Sequence, residues 1–204
     1  MIEARLRTTR AAFARVSEKF GESLTGHAAR GLRLLEDADA EVTQAHERFK
    51  EPHRTSQIAR ALARAESERS ELAGILQNTD TRLQNVEGSV LAYFRQIAPD
   101  PVSGALIVQV LQAMDPGKRS HAIRMARDPK IIAAVSMVPA ELGIATPDDV
   151  QSARSRLWAE LNPAKAAEVG QLEHFRGGLS LVINTIDAGL RDLRDSARLQ
   201  PVAR

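Results

Sequence analysis

The chain has 204 residues with 28 basic and 26 acidic side chains, so its pI of 9.3 rests on a surplus of two charges. That balance is not the footprint of a dedicated nucleic-acid binder, and 43% hydrophobic residues exclude a disordered chain. The absence of cysteine excludes disulfides, thiol nucleophiles and thiolate metal sites, and fits a reducing compartment.

Residues 2–50 read as a first long helix, with Phe13, Val16 and Phe20 and then Leu35, Ala38, Val42, Ala45 and Phe49 at 3–4 spacing. The two runs differ in phase where Gly21, Gly26 and Gly31 stand, which predicts a close backbone approach, a bend or an interruption near 21–27. The Arg-rich start is faintly like a transit peptide, but it reads better as an amphipathic helix. Pro52 ends this helix and leaves a short turn. Two long helices joined this way are antiparallel neighbours, so residues 1–98 are expected to form a helical hairpin.

Helix 55–97 dominates the pattern. Alternate steps of four and three give Ile58, Leu62, Ala65, Arg69, Leu72, Leu76, Thr79, Leu83, Val86, Val90, Tyr93 and Ile97, and only Arg69 and Thr79 are not apolar. A 3.5-residue repeat over about 60 Å of helix is the pattern of a coiled-coil seam. Its apolar members Ile58, Leu62, Leu72, Leu76, Leu83, Val86, Val90, Tyr93 and Ile97 are the expected oligomer contact.

After Ile97 the punctuation changes. Asp100-Pro101, Asp115-Pro116, Asp128-Pro129, Thr146-Pro147 and Asn162-Pro163 each pair a capping side chain with a proline suited to the first helical position. They predict short helices at 102–114, 117–127, 129–138 and 148–161, making a compact domain over 99–161. A third long helix follows at 163–199, within the segment 162–204. Its stripe is Leu172, Phe175, Leu179, Val182, Ile183, Ile186, Leu190, Leu193 and Ala197, with a kink expected at Gly177-Gly178. This helix is expected to pack on the hairpin or on another subunit. The fold class is thus all-α: an elongated hairpin arm, a knot of short helices and a long C-terminal helix. No apolar run approaches the ~18–20 residues of a membrane span.

Chemistry is sparse. None of the five histidines lies three residues after a Glu, and no two are four apart, so helical di-iron and zinc patterns are missing. There is no phosphate-binding glycine loop and no nucleophile elbow. The acidic run Glu36, Asp37, Asp39 and Glu41 reads as a solvated face, and Asp148 with Asp149 as favourable charge at a helix start. No catalytic residue, metal or cofactor is expected. Lys118, Arg119, Arg124, Arg127 and Lys130, with His121, form the densest basic stretch. They are either the polar face of a short helix or a contact for an anionic partner. A second basic stretch spans Arg5 to Arg33. No stacking aromatics accompany either, as single-strand binding would want.

Asp128-Pro-Lys-Ile-Ile-Ala-Ala-Val-Ser-Met-Val-Pro-Ala-Glu-Leu-Gly-Ile144, then Thr146-Pro-Asp-Asp-Val150 and Arg154-Ser-Arg-Leu-Trp158, resembles a helix–loop–helix pattern in uncharacterised helical proteins of phage and prophage virion modules. The resemblance implies a virion structural or assembly component and carries over no activity and no site residues. The sequence reading is therefore a non-enzymatic, self-associating assembly protein, a homo-oligomer or part of a larger assembly, cytoplasmic or within a virion. A nucleic-acid-associated protein using 5–33 and 118–130 is the alternative.

Overall fold

The computed structural model describes residues 2–199, with side chains described at 10–16, 18–21 and 24–195. The chain is all-α: α1 (Ile2–Phe20), α2 (Glu22–Arg48), α3 (His53–Gln96), α4 (Pro101–Gln112), α5 (Pro116–Arg124), α6 (Pro129–Ser136), a 3-10 turn (Ala140–Leu142), α7 (Pro147–Leu161) and α8 (Pro163–Leu199). No strand occurs among the described residues. The chain divides into two compact units. The divisions fall inside α3, at Thr81/Arg82, and inside α8, at Gly170/Gln171, rather than at the prolines near 98 and 162.

Unit 1 is built from α1, α2, α3 up to Thr81 and α8 from Gln171. The first long helix of the sequence reading is two helices. Gly21, at φ 73°, stands between them, a left-handed conformation that only glycine adopts without strain. The break lets α1 fold back along α2. Arg10 reaches Glu36 at 2.6 Å, and the Phe13 ring lies so close to Gly31 that a Cβ there would stand 3.1 Å from it. Gly26 has no such neighbour. Arg30 pairs with Glu71 and Arg64 with Glu41, each at 2.5 Å, which sets α2 antiparallel to α3.

The distal part of α8 completes this unit. Leu179, Val182 and Ile186 are fully buried with Leu24 and Leu72. Of the two expected packing partners, α8 takes the hairpin of its own chain. Gly178 and Gly189 mark the closest approaches, since a Cβ would fall 2.1 Å from Leu24 and 2.6 Å from Leu35, respectively. The Gly177-Gly178 pair therefore admits neighbouring side chains, and the helix is continuous from Pro163 to Leu199. Ala197 of the predicted stripe lies outside the described side chains.

Unit 2 runs from Arg82 to Gly170. Four of the five predicted caps form. Asp100, Asp115, Asp128 and Thr146 accept hydrogen bonds from the free amides of α4, α5, α6 and α7. Ser103 leads the hydrogen bonds that hold the Asp100 carboxyl below its ordinary pKa. Asn162 behaves differently: its Nδ2 donates back to Trp158 O at 3.1 Å, closing α7 rather than opening α8. The core gathers Ile123 and Ile132, both fully buried, with Phe94, Val135, Ile144, Ala153, Leu157 and Trp158.

Candidate association surface

The seam of α3 has the phase that its sequence predicts. All twelve positions from Ile58 to Ile97 are buried or half-buried. Most of them, however, pack against the chain itself. Leu62, Leu72 and Leu76 pack into the core of unit 1, and Val86, Val90, Tyr93 and Ile97 into that of unit 2. Ile58 and Leu83 are half-buried outside both clusters. The two polar interruptions are also satisfied internally. Arg69 donates twice to Asp187 of α8, at 2.8 and 2.7 Å, and buried Thr79 donates to the Ile75 carbonyl at 3.0 Å. Seven of the nine residues read as an oligomer contact thus pack within the chain, all of them but Leu72 only half-buried. A forty-residue seam outruns one small core, but two consecutive cores share its length.

The basic stretch is divided by the fold. Arg124 donates to Asp149, which is only 2% exposed and also accepts from Ser120 Oγ at 2.8 Å. Burial works to raise the Asp149 pKa, but the hydrogen bonds from Arg124, Ser120 and Thr146 outweigh it and hold the carboxyl below its ordinary value. Arg124 therefore ties α5 to α7, and Asp149 is a buried lock rather than only a favourable charge at a helix start. Arg156 adds to this tie, its Nη2 donating to the carbonyls of Arg124 and Ala126 at the end of α5, at 3.1 and 2.5 Å. Lys118, Arg127 and Lys130 are exposed and Arg119 half-buried, with no ion pair among the described residues. Of the N-terminal basic stretch, Arg5 and Arg7 lie outside the described side chains. Arg10 and Arg30 are committed to Glu36, Glu68 and Glu71.

An exposed apolar stripe lies on α4. Val102, Leu106 and Val110 stand at i, i+4 and i+8 and are 71%, 57% and 59% exposed. Ala105, Gln109 and Ala113 are exposed on the same side. The opposite side supplies Ile107, Val108 and Leu111 to the core of unit 2. No Asp, Glu, Lys or Arg occurs from Pro101 to Met114. Helices apolar all round are ordinarily buried, yet this one is covered on one side only. Scanning for a 3.5-residue seam misses it, because α4 is short and nearly uniform in hydropathy. The run of fourteen uncharged residues is the signal that finds it.

No metal-binding group of three or more His, Asp or Glu side chains occurs among the described residues. No described helix is long and apolar enough to cross a membrane. No family model, no curated protein and no solved structure matches this chain.

Proposed function

We propose that the protein is a non-enzymatic assembly protein that associates with copies of itself through the outward face of α4. The observation that carries this reading is the exposed, charge-free stripe Val102–Leu106–Val110. A charged partner would bury its own charges there without compensation, which is costly. An identical copy fits. Antiparallel pairing about Leu106 sets Val102 against Val110 of the other copy and Leu106 against itself, the isologous arrangement of a two-fold dimer.

Magnitudes limit the strength of the contact. Burying three half-exposed aliphatic side chains per copy yields about 1 kcal/mol each. Association costs at least ~4 kcal/mol in lost freedom. A twelve-residue helix also offers far less than the ~800 Å² per partner of a standard interface. The pairing is therefore weak in solution and suits a protein held in an array, where many contacts add. A particle such as a virion supplies that setting, and the likeness at 128–161 to phage and prophage virion-module proteins favours it. Cysteine-free composition suits assembly in the cytoplasm.

The test is light scattering across a concentration series, recorded with the 260/280 nm absorbance ratio, on wild type and Leu106→Glu. The reading predicts a mass rising with concentration for wild type and a constant monomer mass for the variant, both free of nucleic acid. A wild-type monomer at all concentrations, or equal association of the variant, contradicts it. Co-purifying nucleic acid released by salt would instead favour the reading based on the basic residues Lys118, Arg119, Arg127 and Lys130.

A further inference from the structure

The break between α1 and α2 is encoded differently from the capped helix starts of unit 2. There Asp100, Asp115, Asp128 and Thr146 each cap a helix with a side chain, and a proline follows. At Gly21 no side chain caps α2, and no proline stands on either side. The chain turns on that one residue, whose φ of 73° and ψ of −168° lie in a region open to glycine alone. Antiparallel helices are ordinarily joined by about two to five residues. A strained hinge this short invites exchange of its arm between copies.

The cradle that holds α1 is shaped to that helix. Phe13 and Val16 are 3% and 5% exposed, in one core with Leu24, Leu35 and Ile186. Gly31 opens the gap that the Phe13 ring and Ile186 share, and Arg10 meets Glu36 beside it. On one straight helix of ordinary pitch, Phe13, Val16, Phe20, Leu24, Ala28 and Leu35 fall within about 120° of arc. The Arg10–Glu36 and Phe13–Gly31 contacts both centre on positions 22–23, next to the hinge. Two straight helices lying antiparallel there would remake both contacts between copies, about a two-fold axis.

We infer that α1 is an exchangeable arm whose partner is a second copy of this chain. Each copy's α1 seats on the other's α2 and α8, while residues 2–48 run as one helix. The geometry is independent of the outward face of α4; only the closeness of neighbours that favours exchange rests on the assembly reading. In dilute solution Gly21 keeps the exchanged form a minor state, too scarce to move a scattering mass.

The test is a cross-link in the full chain, which has no cysteine of its own. Arg10→Cys with Glu36→Cys replaces a surface pair, and Leu106→Glu in the same chain removes pairing through α4. A short bismaleimide then joins the two thiols within one chain where α1 is at home, and between two chains where it is exchanged. On a denaturing gel this parent is expected to give mainly monomer. Its minor dimer band should grow about tenfold when the protein is held at tenfold higher concentration before cross-linking. Adding Gly21→Ala bars the turn and favours the straight helix, so dimer should become the main product. Inserting Gly-Ser-Gly-Ser after Gly21 instead relieves the turn and should remove the dimer band. The inference is overturned if the Gly21→Ala chain, folded by circular dichroism, gives monomer alone. Should that chain fail to fold, the parent decides. No dimer band at millimolar protein, or an equal band with the lengthened hinge, overturns the inference as well. Failure of α4 pairing produces neither result, because Leu106→Glu is present throughout.

Discussion

Unit 1 closes its core by bringing helix backbones together, whereas unit 2 closes its core by capping short helices and locking them with one buried carboxylate. In unit 1 the close approaches are made at Gly31, Gly178 and Gly189, and α3 is tied to α8 by Arg69–Asp187, Arg176–Asp80 and Arg194–Glu66. In unit 2 no comparable glycine approach occurs. Aspartate and threonine caps start the helices there, and Asp149 with Arg156 joins α5 to α7. The difference teaches how a chain with 3% aromatic residues builds two cores. Where side chains are too small to fill wide gaps, either the helices come closer or polar contacts fix their angles.

This contrast can be broken by substitution, and the sole tryptophan, Trp158 in the core of unit 2, helps to read the result. The largest effect is expected from Leu72→Ala, which empties a fully buried position in unit 1 and should cost about 2–5 kcal/mol. Thermal unfolding followed by circular dichroism should fall more than unfolding followed by Trp158 fluorescence. Asp149→Ala should do the reverse, costing about 1–3 kcal/mol through lost hydrogen bonds, with the fluorescence transition falling first. The acid limb sharpens this. The folded pKa of Asp149 lies below its ordinary 3.8, so its stabilisation is complete above that value and lost as pH falls through the folded pKa. Asp149→Asn should therefore flatten the loss of unit 2 stability in acid, measured by fluorescence between pH 5 and about pH 2.

Smaller effects separate the glycines. Gly178→Ala gains helix propensity of about 1 kcal/mol but pushes a methyl into buried Leu24 and the base of the Phe20 ring. Overpacking of about 1–3 kcal/mol should win, giving a lower melting temperature. Arg69→Ala loses a bidentate but partly solvated pair, so at most about 1 kcal/mol is expected. Gly26→Ala meets no neighbour and should raise stability by up to about 1 kcal/mol. Equal effects at Gly26 and Gly178 would undo the distinction between a glycine needed for approach and one that is not.

Much of the fold was legible because local rules carried it. The seam of α3 was in phase at all twelve positions, since burial follows the helical period whatever supplies the cover. The Asp-Pro and Thr-Pro signals marked helix starts because capping is a contact of two or three residues. Partnership was not legible. Periodicity states that a face is covered but not by which chain, so a seam covered by α8 and the short helices reads like an oligomer interface. The Asp149–Arg124 pair joins positions 25 residues apart, and nothing in either local sequence announces it. Gly21 and Gly26 are alike in sequence, yet only Gly21 takes the left-handed turn. The exposed stripe of α4 was hidden because an apolar helix in a compact domain is ordinarily assumed to be covered.

The most direct measurement is amide hydrogen exchange across α3 and α4, resolved by peptide, at a dilute and a concentrated protein level. If the seam is covered by its own chain, protection from Ile58 to Ile97 is the same at both levels, and only α4 gains protection on concentration. Protection of α3 that falls away on dilution would mean that the seam is completed by another copy, and would contradict the account.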